Sequence, residues 1–105
     1  MESGVSFSHS GEITVAKLSG EIDHHVARGE REDIDRILFS KKPKLLIIDF
    51  SDVRFMDSSG IGLIIGRSST AAEIGCDIKI SGLSETLKRI VRLSGVERIK
   101  NLTVD

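Results

Sequence analysis

At 105 residues the chain is the size of one domain, with room for a single modest core and not for two independent ones. Apolar residues at 39% and charged residues at 30% exclude a disordered chain and a membrane-embedded one, and describe a soluble globular domain. With 15 basic against 16 acidic residues the net charge is −1, so no overall field steers the chain to nucleic acid or an anionic membrane, and partners must be recognised locally.

The chain opens on Met1-Glu2-Ser3-Gly4, polar and without an apolar signal core, and no later run approaches the length of a membrane span. The expected compartment is the cytoplasm. Residues 5–7 and 13–18 read as strands, separated by the loop-forming cluster Ser8-His9-Ser10-Gly11 of a hairpin. Gly20-Glu21-Ile22-Asp23 connects them to a helix through residues 28–38, for which Asp23 is a natural N-cap. Its apolar stripe is thin: Val26, Ile34, Ile37 and Leu38 fit one face, Glu30 falls toward the core side, and Gly29 lowers helix propensity by about 1 kcal/mol. Packing through only part of its length is expected.

After Lys41-Lys42-Pro43, residues 45–50 form a continuous apolar run too short for a helix, which predicts a strand buried on both faces with parallel neighbours. A helix follows Asp57, with Ile61, Ile64, Ile65 and Ala72 inward, Arg67 and Glu73 outward, and Gly75 at its end. The glycines at 60, 62 and 66 predict a close approach of this helix to the sheet. Residues 76–80 form the next strand, and residues 83–93 a helix capped by Ser84, stopped by Gly95 and packed through Leu87, Ile90 and Val91. A short strand near residues 99–102 ends the chain. Cys76, as the lone cysteine, makes no internal disulfide and no thiolate metal site, and reads as a small core residue. The order is ββαβαβα plus a terminal strand, an α/β domain over residues 1–105 with a mixed β-sheet and packed helices.

The segment Phe55-Met56-Asp57-Ser58-Ser59-Gly60-Ile61-Gly62 carries the chemistry, because it sets two hydroxyls at the start of a helix directly after an apolar strand. The first helical N–H groups lack intrahelical partners and carry the positive end of the helix dipole, which favours an anion on Ser58. If the loops after the first and second apolar strands meet, Ser58 and Ser59 stand beside Glu21, Asp23, Asp52 and Asp57, a surface suited to a basic partner. A phosphate there adds about −1.5 to −2 charges among carboxylates and opposes docking.

Together with Leu18-Ser19-Gly20-Glu21-Ile22-Asp23-His24-His25, this segment and the element order resemble the STAS domain of bacterial anti-sigma factor antagonists, over residues 13–99. Within that family the chain is most similar to the sporulation type, in its paired histidines and its Phe-Met-Asp-Ser-Ser-Gly segment. It departs in a highly charged first helix and in stopping at Asp105 without the further helix such members carry. The resemblance implies that Ser58 is phosphorylated by a partner that is both serine kinase and anti-sigma factor, that a phosphoserine phosphatase reverses this, and that Asp23 sits beside Ser58. It further implies a partner-binding surface of Glu21, Asp23, His24, His25, Asp57, Ser58, Ser59 and Gly60, with no cofactor and no direct contact to nucleic acid or membrane.

Plainer roles compete for the same residues. A Ser-Ser pair opening a helix commonly serves as a cap, which remains the expectation for Ser59, and Asp23 can cap and function together. His24 and His25 are adjacent, so their side chains diverge, and His9 lies in another loop, which disfavours a shared metal. The charge run over residues 28–36 is the pattern of a solvated helix face. Enzyme signatures are weak: Gly60, Gly62 and Gly66 only approach a dinucleotide fingerprint, and Ser59 lacks the preceding glycine of a nucleophile elbow and any histidine placed as its base. A non-enzymatic switch is the expectation, with a STAS scaffold subunit of a signalling or transporter complex as the alternative.

Overall fold

The computed structural model describes residues 3–105; Met1 and Glu2, counted above with the polar amino-terminal stretch, lie outside the described residues. The elements are β1 (Gly4–Ser10), β2 (Ile13–Ile22), α1 (His24–Lys41), β3 (Leu45–Met56), α2 (Ser58–Glu73), β4 (Asp77–Ser81), α3 (Glu85–Ser94), a 3-10 turn (Val96–Arg98) and β5 (Leu102–Val104). They form one five-stranded sheet in the order β1-β2-β3-β4-β5, antiparallel between β1 and β2 and parallel elsewhere. The expected mixed sheet and element order are therefore present, with the 3-10 turn added and the last strand shifted to Leu102–Val104. The hairpin is tighter than expected: Ser8, His9 and Ser10 belong to β1, so His9 lies in a strand, its Nδ1 2.9 Å from Thr14 Oγ1.

The strand order rises monotonically, so right-handed crossovers stack all three helices on one face of the sheet. Burial agrees. On β2 Thr14, Ala16, Leu18 and Ile22 are buried, as are Leu46, Ile48 and Phe50 on β3 and Ile78 and Ile80 on β4. On β3 the alternate residues Leu45, Ile47 and Asp49 are only half-buried, so this strand is covered deeply on one face and not on both. The helix-free face carries two surface ion pairs, Lys17 to Asp52 at 3.5 Å and Lys79 to Asp105 at 3.7 Å.

β3 runs six residues beyond the expected Phe50. Lys17 pairs with Asp49 but Ser19 with Asp52, and Gly20 pairs with Val53 but Glu21 with Phe55, so β3 twice gains a residue on β2. These bulges convert the two-residue alternation into burial at every third position, Phe50, Val53 and Met56, which erases the usual strand pattern. Gly20, at φ +84°, supplies the left-handed backbone at the second bulge.

The helix faces also required correction. In α1 the buried positions are Ala27, Glu30, Ile34 and Leu38, a narrow stripe along nearly the whole helix, with Val26 and Ile37 on its margins. In α2 Leu63, Ile64, Arg67, Ser68 and Ala71 are buried, whereas Ile65 is 46% exposed and Ala72 also faces outward. Arg67, expected outside, is inside because Asp35 of α1 meets it across the helix pair. α3 is capped by Ser84 and stopped by Gly95 as expected, but only Leu87 and Val91 are buried; Ile90 and Leu93 are exposed. Cys76 is buried in the core, where burial pushes its thiol pKa up.

Candidate functional site

β2 and β3 end in register, Glu21 opposite Phe55 and Ile22 opposite Met56. Ile22 and Met56 anchor the two ends in the core, and each is followed by an aspartate that caps the next helix. Asp23 Oδ1 accepts from the Val26 N–H at 2.8 Å, and Asp57 Oδ1 accepts from the Ser59 N–H at 2.8 Å. The Asp57 N–H donates to the Ile22 carbonyl at 3.1 Å, which ties the two capped corners together. The carboxyl ends of the parallel strands β2 and β3 thus form one edge.

All eight expected residues come to this edge. Glu21, Asp23, His24, His25, Asp57 and Ser58 are exposed, and Ser59 is half-buried. Gly60 lies beneath the surface: a Cβ there would stand 2.5 Å from Met56 Sδ, so its part is to seat α2 against β3. Gly62 and Gly66 have no such role, since a Cβ on either meets nothing within 4 Å. Asp52 stands apart, opposite Ser19 and paired with Lys17. Among the described residues, no group of three or more His, Cys, Asp or Glu is placed to hold a metal ion.

The corner also revises the electrostatic expectation. The capping assigned to Ser59 is performed by Asp57, whose carboxylate takes the Ser59 N–H while its carbonyl accepts from Gly60 N–H at 3.0 Å. The positive end of α2 is therefore already answered by a negative side chain. A phosphate on Ser58 would meet the Asp57 charge beside it rather than a row of vacant donors.

Two features were missed in the sequence. Phe55, opposite Glu21, is 56% exposed, an aromatic ring at the rim of the acidic edge. The bulge that turns it outward is a property of pairing, and the sequence carried no sign of it. The second feature is a cleft of about 400 Å³ between α1 and α2, lined by His24, Arg28 and Arg31 on one side and Ser59, Gly62 and Arg67 on the other. The spacing 24, 28, 31 marks one helix face, and this signal was available within what reads as a solvated charge run.

Arg67 is 5% exposed, its Nε 2.7 Å from Asp35 Oδ1. The N–H is not aimed along that line, so the contact is an ion pair rather than an aligned hydrogen bond. Burial lowers the Arg67 pKa, Asp35 raises it, and the nearby Arg31 charge lowers it again. Glu30, one turn along the α1 stripe from Ala27, is 3% exposed, and neither carboxylate oxygen has a hydrogen-bond partner among the described residues. Burial, and secondarily the charge of Asp33, push its pKa up to about 7.

Residues 5–104 match the STAS domain family. The anti-sigma F factor antagonist of Paenibacillus polymyxa is 26% identical over 95 residues, spanning 90% of this chain and 81% of the relative. The anti-sigma F factor antagonist of Lysinibacillus sphaericus is 31% identical over 85 residues, spanning 81% and 73%. The structure of the Bacillus cell fate determinant SpoIIAA in the phosphorylated form superposes with a TM-score of 0.73 at 26% identity, over 97% of this chain and 91% of that one. With the family match running through every strand and helix described above, this chain belongs to the STAS domain family.

Proposed function

We propose that this chain is an anti-sigma factor antagonist: unphosphorylated, it binds an anti-sigma factor that is also a serine kinase and so releases a sigma factor, and phosphorylation of Ser58 switches it off. The observation that carries the reading is the exposed Ser58 hydroxyl on the first residue of α2, set between two corners that each bear a capping aspartate. The names of the relatives support the class of function.

The mechanism is electrostatic. Docking places a partner over Phe55 and the hydroxyl, with Glu21, Asp23 and Asp57 as an acidic rim that favours basic groups. The phosphate adds about −1.5 to −2 charges beside carboxylates already fixed by backbone bonds, and a partner must then desolvate a dianion against like charge. A swing from 99% to 1% bound needs about 5.5 kcal/mol of differential affinity. The chain supplies a rigid surface and a hydroxyl in this scheme; the kinase and the phosphatase supply the chemistry, and the setting is the cytoplasm.

Incubation with a cognate anti-sigma kinase and ATP, followed by mass mapping, is expected to place the phosphate on Ser58 and to find none on Ser58→Ala. In calorimetric titration against the same partner, Ser58→Asp should bind more weakly than Ser58→Ala. Phosphate on Ser59, or equal affinities for the two variants, would overturn the assignment of Ser58; neither binding nor phosphorylation would favour the scaffold role instead.

A further inference from the structure

We propose that the cleft between α1 and α2 is a binding site for a phosphate-type dianion, held by Arg28 and Arg31 with the Ser59 hydroxyl at its mouth. The cleft encloses about 400 Å³, more than a phosphate group with part of an organic skeleton requires, and no carboxylate lines it. Three arginines line this space. Arg67 is already matched to Asp35, but Arg28 and Arg31 have no ion-pair partner within 4 Å among the described residues. Of the acids on the same helix, Asp35 is committed to Arg67 and Asp33 to Arg36 at 3.1 Å, and neither Glu30 nor Glu32 forms an ion pair with Arg28 or Arg31 among the described residues.

The arrangement is electrostatically incomplete as it stands. Arg31 lies close enough to Arg67 to disfavour its charge, so two like charges face one partly enclosed space. An anion seated at Arg31 offsets that repulsion, and guanidinium forks bind phosphate through paired hydrogen bonds. The walls are pre-shaped. Ala27, Leu63 and Gly62 leave a small apolar floor, and a Cβ at Gly62 would meet nothing within 4 Å, so a longer side chain there can occupy the cleft without displacing the fold. The site itself stands on these contacts, and only a phosphoserine as its occupant rests on the role proposed for Ser58.

The dianion has two possible sources, a free phosphorylated small molecule or a phosphoserine carried by this chain, and both present the same group to the arginines. The test is a titration of the unphosphorylated protein with inorganic phosphate at constant ionic strength, followed by backbone amide and arginine Nε–H resonances. Saturating shifts confined to Arg28, Arg31 and Ser59 are expected. Arg28→Gln/Arg31→Gln should weaken binding about tenfold or more, and Gly62→Leu should block it with every charge kept, while circular dichroism shows both folds intact.

Repeating the titration on protein phosphorylated at Ser58 separates the sources. Arginine resonances already displaced and indifferent to added phosphate identify the chain's own phosphoserine as occupant; resonances that still titrate identify a free ligand. Shifts that never saturate, that spread over the other lysines and arginines, or that persist in both folded variants would overturn the proposal.

Discussion

On the proposed function, Asp23 serves the helix and the partner with one carboxylate. Its Oδ1 caps α1 through the Val26 N–H, and asparagine caps nearly as well, so Asp23→Asn should leave the melting temperature almost unchanged. Asp23→Ala should cost about 1 kcal/mol. Partner affinity and phosphorylation rate should fall in both variants, because both lose a charge that the proposed function uses at the Ser58 edge; wild-type values in Asp23→Asn, measured alongside the melts, would leave Asp23 as a cap alone. Glu30 makes a different demand. Its folded pKa of about 7 lies above the ordinary 4.5, so the folded state holds the proton more tightly than the unfolded chain does. Stability from this residue is complete below pH 4.5, falls as pH rises through 7, and stays low above it, a loss of at most about 3 kcal/mol. Glu30→Gln should therefore raise stability at pH 8 and flatten the pH dependence between those limits, as denaturant titrations at several pH values will show. The position of Glu30 on the buried side was legible from its spacing to Ile34 and Leu38, because helical period fixes which residues share a face.

Among the elements, α2 sets the sharpest contrast between residues of one type. Gly60 is held by contact with Met56, whereas Gly62 and Gly66 project toward open space. Gly62→Ala and Gly66→Ala should each stabilise the protein by about 0.5–1 kcal/mol through helix propensity, and Gly60→Ala should destabilise it, since Met56 must move. Thermal or urea unfolding of the three variants checks the opposite signs. The sequence marked all three glycines alike, because propensity is local and the β3 side chain that distinguishes them arrives only with packing. The same limit hid the second half of β3. Its first six residues declare themselves by an apolar run that only Asp49 interrupts, but the rest pair through two register shifts and bury every third residue, a period that belongs to neither a regular strand nor a helix. Arg67 was misplaced for a related reason: polarity sends an arginine outward unless a partner such as Asp35 stands on the neighbouring helix.

At the scale of the molecule the core is one connected cluster but its support is uneven. β2 and β3 are long central strands, while β5 has three residues and pairs only with β4, and α3 buries only Leu87 and Val91. Native-state hydrogen exchange should find α3 and β5 opening together at lower free energy than β2 and β3, whose central amides should exchange only through global unfolding. Equal protection across the sheet would contradict this. What the sequence alone determined is the order of elements, the helix caps at Asp23 and Ser84, the stop at Gly95, and the motif around Ser58, because caps, turn residues and short apolar runs act within a few residues of themselves. Only the tertiary structure decided that Asp57, not Ser59, caps α2, that Phe55 faces outward, that one face of the sheet is free of helices, and that Arg28, Arg31 and Arg67 share a cleft. Each of these depends on which strand or helix lies next door, and that neighbour is chosen by crossover handedness and pairing register across the chain.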